Sequence, residues 1–321
     1  MKLGAFNTLF YDRNFEEALE ALKAYGCDAV EIGCGGFITK KHINPEKLIE
    51  DDGKCRELVK TVEKYGLEIS ALSCHGNMAH PNKKIAEIHR KDFRDAVTLA
   101  GKIGVKRIVT FAGCPGTSDK DKNPSWITCP WPDYFTEALT WQWEEKLIPL
   151  WKEEAAFAVS RGVPMISLEM HPGDAVYTPE KLLKLREAVG EEIGCNFDPS
   201  HLFWQGIDPT AALRKLRDCI FHVHAKDVRV EPLVAQVNGV LDNKPYSDEE
   251  NRSWIFRTVG YGHSYSVWKD FISTLRIIGY DYVLSIEHED SLMSGEEGLK
   301  KAVAFLKDVM MHQPRGAMWW D

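Results

Sequence analysis

Short apolar runs alternate along the whole chain with stretches in which apolar residues recur every three or four positions. The first pattern predicts buried strands and the second predicts amphipathic helices, and together they repeat eight times. The predicted strands are 3–9, 29–34, 67–74, 107–112, 164–170, 193–198, 220–226 and 283–288. The predicted helices are 15–26, 55–66, 89–104, 145–162, 178–190, 208–218, 268–279 and 295–310. Strict alternation of strand and helix is typical of a parallel sheet.

Eight repeats favour an α/β fold of one kind, a single closed (β/α)8 TIM barrel, over an open doubly wound sheet. An open nucleotide-binding sheet would carry a glycine-rich turn after its first strand, but Asn7-Thr8-Leu9-Phe10 stands there instead. We assign residues 1–310 to the barrel and residues 311–321 to a C-terminal tail. The Trp319-Trp320 pair favours a tail that docks over one that is disordered.

Two connections, 113–144 after the fourth strand and 229–265 after the seventh, are longer than a barrel needs. Because both follow strands, we expect them to form pocket walls at the C-terminal face. They hold five tryptophans, namely Trp126, Trp131, Trp141, Trp143 and Trp254. Aromatic rings suit a carbohydrate pocket, but they also suit a subunit interface, so a homo-oligomer stays open as an alternative.

Composition narrows the classes of partner. The 321 residues are 44% hydrophobic and carry a formal net charge of −8, which argues against a nucleic-acid partner bound through its phosphates. No apolar segment reaches the length of a signal peptide or a membrane span, so we expect a cytoplasmic protein without a membrane partner. The eight cysteines include no CxxC pair and are interpreted as reduced thiols.

Four residues that can ligate a metal stand at the ends of four separate predicted strands: Glu169, Asp198, His224 and Glu287. A parallel barrel gathers such strand ends into one pocket. Three carboxylates and one imidazole suit a single divalent ion, with Mn²⁺ preferred and Mg²⁺, Co²⁺ or Zn²⁺ as alternatives. His222 lies two residues before His224 and faces the same side, so we interpret it as a core histidine lower in the barrel.

The motifs around these residues are LEMHPG, NFDPSHL, HVHAKD and SIEHED. They resemble the sugar phosphate isomerase/epimerase family, part of the xylose isomerase-like TIM barrel superfamily, and the resemblance spans nearly the whole chain. It implies that Glu169, Asp198, His224 and Glu287 hold the metal, that the two glutamates also act as acid and base, and that His201 contacts substrate. The implied activity is a divalent-metal-dependent sugar isomerase or epimerase.

The chemistry agrees with these residue types. A cation that holds a carbonyl oxygen and a neighbouring hydroxyl acidifies the adjacent C–H bond and stabilises an enediolate. One carboxylate removes the proton and a second returns it from the other face. Further candidates for substrate contact are His75, Lys226, Asp227, Arg229 and Arg257, with Glu31 as a buried carboxylate beneath the substrate.

Other activities fit the same scaffold. Inosose- or dehydroshikimate-type dehydratases of this superfamily share the metal site, and the sequence does not separate dehydration from epimerisation. An endonuclease IV-like nuclease is disfavoured, because strand four ends in VTFAGCPG without a histidine and the seventh loop has no Asp-x-His. A non-catalytic sugar-binding protein is a third alternative. Without a P-loop or an arginine cluster, we expect an unphosphorylated sugar, polyol or keto-acid as substrate.

Overall fold

Ten strands are present in the computed structural model, which describes residues 1–320. They are β1 (Lys2–Phe6), β2 (Ala29–Gly33), β3 (Glu68–Ser73), β4 (Arg107–Phe111), β5 (Met165–Glu169), β6 (Ile193–Phe197), β7 (Ile220–Ala225), β8 (Asp227–Val230), β9 (Trp254–Arg257) and β10 (Val283–Ile286). Eight of them pair in parallel and close into a barrel in the order β1-β10-β7-β6-β5-β4-β3-β2. The predicted (β/α)8 barrel is confirmed.

Twelve α-helices accompany the described strands. They are α1 (Phe15–Tyr25), α2 (Pro45–Leu48), α3 (Asp52–Lys64), α4 (Lys83–Ile103), α5 (Tyr134–Trp141), α6 (Ile148–Ser160), α7 (Pro179–Val189), α8 (Pro199–Phe203), α9 (Pro209–Leu216), α10 (Pro232–Asn238), α11 (Tyr265–Ile277) and α12 (Gly295–Val309). Among residues 1–320, no helix combines the length and the apolar character that crossing a bilayer requires.

Local sequence signals explain where these helices begin and end. Asn14 and Glu17 form a reciprocal capping box at the start of α1, and Gly26 ends that helix with a left-handed φ of 94°. Thr178 and Asp208 cap α7 and α9 with their side chains, each followed by proline in the first turn.

The two faces of each barrel strand have different surroundings. In β5, Ile166 and Leu168 join the apolar core, while the alternating Ser167 and Glu169 are also fully or almost fully buried. The barrel interior therefore contains a polar layer, made of Glu31, Ser73, Ser167, Asn196, His222, His224 and Ser285. This layer lies beneath the C-terminal ends of the strands, where the site residues emerge.

The first strand is shorter than predicted. β1 ends at Phe6, and Asn7–Phe10 form a 3-10 turn rather than the end of the strand. The reason is the Asn7 side chain, which is buried, accepts a hydrogen bond from the Gly33 amide at 3.0 Å, and contacts His42. These contacts hold the chain in the turn that follows β1.

The predicted loop 113–144 is also shorter, because helix α5 already begins at Tyr134. It continues through one π-helical segment, Gln142–Leu147, into α6 without a break. Gln142 is buried and its amide donates to the carbonyl oxygens of Gly116 and Ser125 at 3.0 and 2.8 Å. The helix thus holds the remaining loop against the barrel.

The predicted loop 229–265 contains three regular elements that were not expected. β8 and β9 pair antiparallel, with Val228 opposite Phe256 and Val230 opposite Trp254, and α10 lies between them. Each strand has four residues, too few for alternation to stand out from a loop. The ribbon nevertheless carries a separate small core of Trp204, Val228, Trp254 and Phe256.

The cysteines agree with the interpretation from the sequence, whereas the C-terminal tail departs from it. All eight cysteines are free and seven are buried, which agrees with their interpretation as reduced thiols. After α12 the described chain forms no further helix or strand. Trp319 and Trp320 are 89% and 64% exposed, so the structure does not dock this pair onto the barrel as the sequence suggested.

Candidate metal centre and active site

Four predicted ligands converge at the C-terminal mouth of the barrel. Glu169 ends β5, Asp198 follows β6, His224 lies in β7 and Glu287 follows β10. One ligand atom from each lies within 4.8 Å of the others. The strand register explains this, because Glu169 is level with Asn196 and Ser285 is level with His224.

The donor atoms of this cluster fit a divalent cation. His224 Nδ1 lies 3.2 Å from a Glu169 oxygen and 3.1 Å from a Glu287 oxygen, but it makes no hydrogen bond. Asp198 Oδ2 is likewise buried without a hydrogen bond, although Lys226 Nζ and His201 Nε2 each lie 3.3 Å away. Buried polar atoms without hydrogen bonds are costly, and both of these belong to the four candidate ligands. These four residues could therefore hold a divalent metal.

Glu31 lies on the other side of the His224 ring. Both of its oxygens are 3.0 Å from His224 Nε2, and Ser73 and Ser285 also donate to it. Burial favours the neutral form of Glu31, but the neighbouring His224 and His222 and these hydrogen bonds outweigh it and lower its pKa to about 2. An ionised Glu31 keeps one proton of His224 on Nε2. Burial opposes a charge on His224, but Glu31, Glu287 and Glu169 raise its pKa well above the usual range, so a metal at Nδ1 would displace the second proton.

Glu169 is held by donors from three parts of the barrel: strand β6, helix α8 and the segment just after β3. His75 Nε2 and Asn196 Nδ2 approach one oxygen at 3.3 and 2.8 Å, and His201 Nε2 approaches the other at 3.1 Å. Burial opposes ionisation, but the three histidines that face it, His201, His224 and His75, lower the pKa of Glu169 well below its usual range. Glu169 is therefore an oriented carboxylate. Sequence reasoning missed Asn196, although its position two residues before Asp198 places both on one strand face.

Lys226 brings a positive charge into the same cluster. Its Nζ lies 2.8 Å from Glu287, 2.8 Å from Glu289 and 3.3 Å from Asp198. Burial favours a neutral amine, but the charges of Glu287, Glu289 and Asp198 raise the pKa of Lys226 well above its usual range. Lys226 in turn lowers the pKa of Glu287, against the opposing effect of burial.

A second group of candidate ligands, Glu31, His222 and His224, lies deeper in the barrel. Hydrogen bonds account for most of its polar atoms, because Glu31 accepts from two serines and His224, and His222 Nδ1 contacts Asn196 at 2.9 Å. Burial lowers the pKa of His222 to about 4 and keeps it neutral. This group supports the upper cluster, which agrees with the interpretation of His222 as a core histidine.

Three predicted substrate contacts lie elsewhere. Asp227 accepts hydrogen bonds from the backbone amides of Gly260, Gly262 and His263, so its carboxylate anchors the segment before α11. Arg229 is exposed on β8. Arg257 is paired with Asp290 at 3.2 Å. For these residues the structure favours anchoring or surface roles, because each carboxylate or guanidinium is either occupied or turned to solvent.

Two adjoining clefts open above the cluster, with volumes of about 260 and 460 Å³. His171 and Tyr246 line both. Of the five loop tryptophans, Trp126 and Trp254 line the smaller cleft, together with Trp204, whereas Trp131 is 74% exposed. His171 was missed, although the sequence His171-Pro172-Gly173-Asp174 predicts a tight turn directly after Glu169, and that turn is present.

Comparison with known proteins adds to this geometry. A model of a family described as a xylose isomerase-like TIM barrel matches residues 19–309. The chain belongs to that family. The family resemblance inferred from the four strand-end motifs is therefore confirmed.

Two relatives of known sequence cover nearly the whole chain. The protein is 39% identical over 298 residues to the uncharacterized protein YfiH of Bacillus subtilis (strain 168), covering 92% of this chain and 95% of that one. It is 22% identical over 302 residues to an inosose dehydratase of Mesomycoplasma hyopneumoniae (strain J), covering 93% and 90% of the two chains.

Solved structures share the fold. A D-tagatose 3-epimerase-like protein superposes with a TM-score of 0.64 at 22% identity, covering 96% of this chain and 98% of that one. An IOLI protein with a bound zinc atom superposes with a TM-score of 0.65 at 20% identity, also covering 96% and 98%. At these identities the likeness concerns the architecture.

The contact between Glu31 and His224 generates a first prediction. Glu31→Gln removes the charge that keeps the His224 proton on Nε2, so Mn²⁺ affinity should fall by about 10- to 100-fold. Isothermal titration calorimetry with Mn²⁺ measures this. Glu63→Gln, at an exposed position of α3, is the control and should bind as the unmodified protein does. Equal affinity of both variants would contradict the role of Glu31.

Asp227 generates a second prediction. Asp227→Ala leaves several buried donors without an acceptor, so the free energy of unfolding should fall by about 3 kcal/mol or more. Urea denaturation followed by tryptophan fluorescence measures the change, and Asp308→Ala at an exposed position of α12 serves as control. A stable variant that has lost only substrate affinity would instead support the contact with substrate expected from the sequence.

Proposed function

We propose that the protein is a divalent-metal-dependent isomerase or epimerase of a sugar or related polyol ketone. The observation that carries this proposal is the pair Glu169 and Glu287, both ionised and both in the cluster with Asp198 and His224 beneath the aromatic clefts. Two carboxylates that face one small volume can remove a proton from carbon and return it.

When bound, a divalent cation would polarise a substrate carbonyl and stabilise negative charge that develops on its oxygen. Glu169, Asp198, His224 and Glu287 would hold that cation, with Mn²⁺ as the preferred ion. Side chains of the protein would carry out the other steps, which are orientation of the carboxylates and transfer of the proton. Asn196, His75 and His201 fix the direction of the Glu169 carboxylate, which supports its use as the proton acceptor.

Glu287 would supply the proton that returns to carbon. Its oxygen lies 2.8 Å from the Lys226 ammonium, so Glu287 rests ionised and takes up a proton from solvent before it donates, while Glu169 releases the abstracted proton to solvent. Return to the same carbon from the opposite face gives an epimer, and return to the adjacent carbon gives an isomer. His201 lines the smaller cleft as well as contacting Glu169, and His75 contacts the same carboxylate, so both are proposed to bear on substrate as well.

A dehydratase of the inosose type is the second candidate. The supporting observation is the relative named inosose dehydratase, whose similarity covers 93% of this chain. Dehydration begins with the same proton abstraction and differs in the loss of a hydroxyl group from the neighbouring carbon. The Glu169–Glu287 arrangement serves either outcome, so the product decides between them.

The third prediction tests both candidates. With Mn²⁺ and D₂O, we expect deuterium to enter one carbon of a substrate drawn from a panel of ketoses, inososes and hydroxy-keto acids. Mass spectrometry and NMR measure incorporation and any loss of water. Incorporation without loss of water indicates isomerisation or epimerisation, and incorporation with loss indicates dehydration. If no member of the panel exchanges and Mn²⁺ does not bind, the proposed function is wrong.

The fourth prediction separates an enzyme from a sugar-binding protein. Glu287→Gln keeps the shape of the side chain but removes its basicity, so exchange at saturating Mn²⁺ should fall by about 10²- to 10⁴-fold. Ligand binding, followed by fluorescence of the cleft tryptophans, should persist. Glu297→Gln on α12 is the control, since Glu297 pairs with Lys301 at the surface. Unchanged exchange in Glu287→Gln would contradict a role in proton transfer.

A further inference from the structure

Glu289 contacts the cluster without being one of its four candidate ligands. Its carboxylate lies 2.8 Å from Lys226 Nζ, and it lines the larger cleft with Tyr246, Phe256 and Ser291. Its side chain is 48% exposed, whereas that of Lys226 is 3% exposed. The ion pair therefore joins a buried ammonium to a carboxylate that reaches the cleft.

Lys226 has three carboxylate partners in the structure, but two of them have another use. Asp198 and Glu287 are candidate metal ligands, and a cation held by them would take much of their negative charge. Glu289 would then be the carboxylate that remains for Lys226. The orientation of the Lys226 ammonium and the compensation of its positive charge would then depend on Glu289.

The other nearby cations are already paired or turned away. Arg257 contacts Asp290, Lys244 contacts Asp242, and Arg229 is exposed on β8. Among the described residues that line the two clefts there is neither lysine nor arginine. Lys226 is thus the cation best placed to meet an anionic group that enters above the cluster.

The net charge of the centre follows from these contacts. Three ligand carboxylates exceed the charge of a divalent ion by one, and Lys226 cancels that excess. The ionised Glu31 beneath His224 leaves one negative charge. Glu289 adds one further negative charge at the wall of the cleft. An uncharged polyhydroxy carbonyl compound enters such a site without electrostatic cost, whereas a phosphate or carboxylate meets repulsion.

We propose that Glu289 is a specificity-determining residue, which occupies Lys226 and so restricts the site to uncharged substrates. This inference rests on the proposed function, because it assumes that a metal occupies Asp198 and Glu287. It assigns to Glu289 a role in the choice of substrate rather than in proton transfer.

The test compares Glu289→Gln with the unmodified protein, both loaded with Mn²⁺, in calorimetric titrations with inorganic phosphate. Glutamine preserves size and removes the charge, so Lys226 becomes free to pair with the anion. We expect phosphate to bind at least about tenfold more tightly to the variant, a change equal to roughly 1.4 kcal/mol. Direct contact of phosphate with the metal contributes equally to both proteins and does not produce this difference.

Two further variants make the result specific. Glu297→Gln removes a half-exposed, lysine-paired glutamate of α12 and should leave phosphate affinity unchanged. Glu289→Gln combined with Lys226→Met should lose the gain. If Glu289→Gln binds phosphate no better than the unmodified protein, or if the gain survives without Lys226, the inference is overturned.

Failure of the proposed function would give a different signature. If Mn²⁺ does not bind, the proposed function and the inference are both overturned, because Asp198 and Glu287 then keep Lys226 paired. If Mn²⁺ binds but Glu289→Gln gains no phosphate affinity, the inference alone is overturned. Once a substrate is found, kcat/KM for a carboxylated analogue relative to a neutral one should rise in Glu289→Gln.

Discussion

Three carboxylates buried within one small volume are the constraint on which this site depends. At separations of 4.8 Å or less, each ionised pair repels by about 3 kcal/mol or more even at an effective dielectric constant of 20. The barrel supplies positive charge and hydrogen-bond donors from several segments to offset this repulsion: Lys226 on one side, and His75, His201 and Asn196 around Glu169. A divalent cation would complete the balance. Removing it should loosen the mouth of the barrel more than its helical exterior.

The side chains of the polar layer that supports the candidate ligands differ from those that line the clefts. The polar layer inside the barrel, centred on Glu31, serves the four candidate ligands and is independent of what enters the clefts. The walls come from different segments: the loop that carries Trp126, the turn that carries His171, and the ribbon of β8 and β9. The candidate ligands and the residues that line the clefts are thus different side chains, although His171 and Glu289 lie only two residues from Glu169 and Glu287.

Sequence reasoning predicted that the four candidate ligands would lie together, because each follows an apolar run and the carboxyl ends of parallel strands meet at one edge. The contacts and elements that were not predicted from the sequence also have a common cause. Asp227 belongs to the motif HVHAKD, but its role depends on amides more than thirty positions away, which no local pattern reveals. The pairing of Glu289 with Lys226 crosses 63 positions, and β8 and β9 are recognisable only through each other. The role of a polar residue thus depends on partners that are distant in the sequence, whereas short-range patterns are enough to locate helices and strands.

The π-helical segment Gln142–Leu147 has a consequence for how this barrel can diverge. A π turn accommodates one extra residue while the α-helix before it and the α-helix after it keep their own contacts. Here the side chains of Gln142 and Trp143 are both buried. The Gln142 amide also donates hydrogen bonds to carbonyl oxygens of the loop that contains Trp126. A single insertion or deletion at this point would rotate the preceding helix by about 100° relative to α6. Changes in chain length here can therefore reshape one wall of the cleft while the eight strands and the candidate metal ligands stay in register.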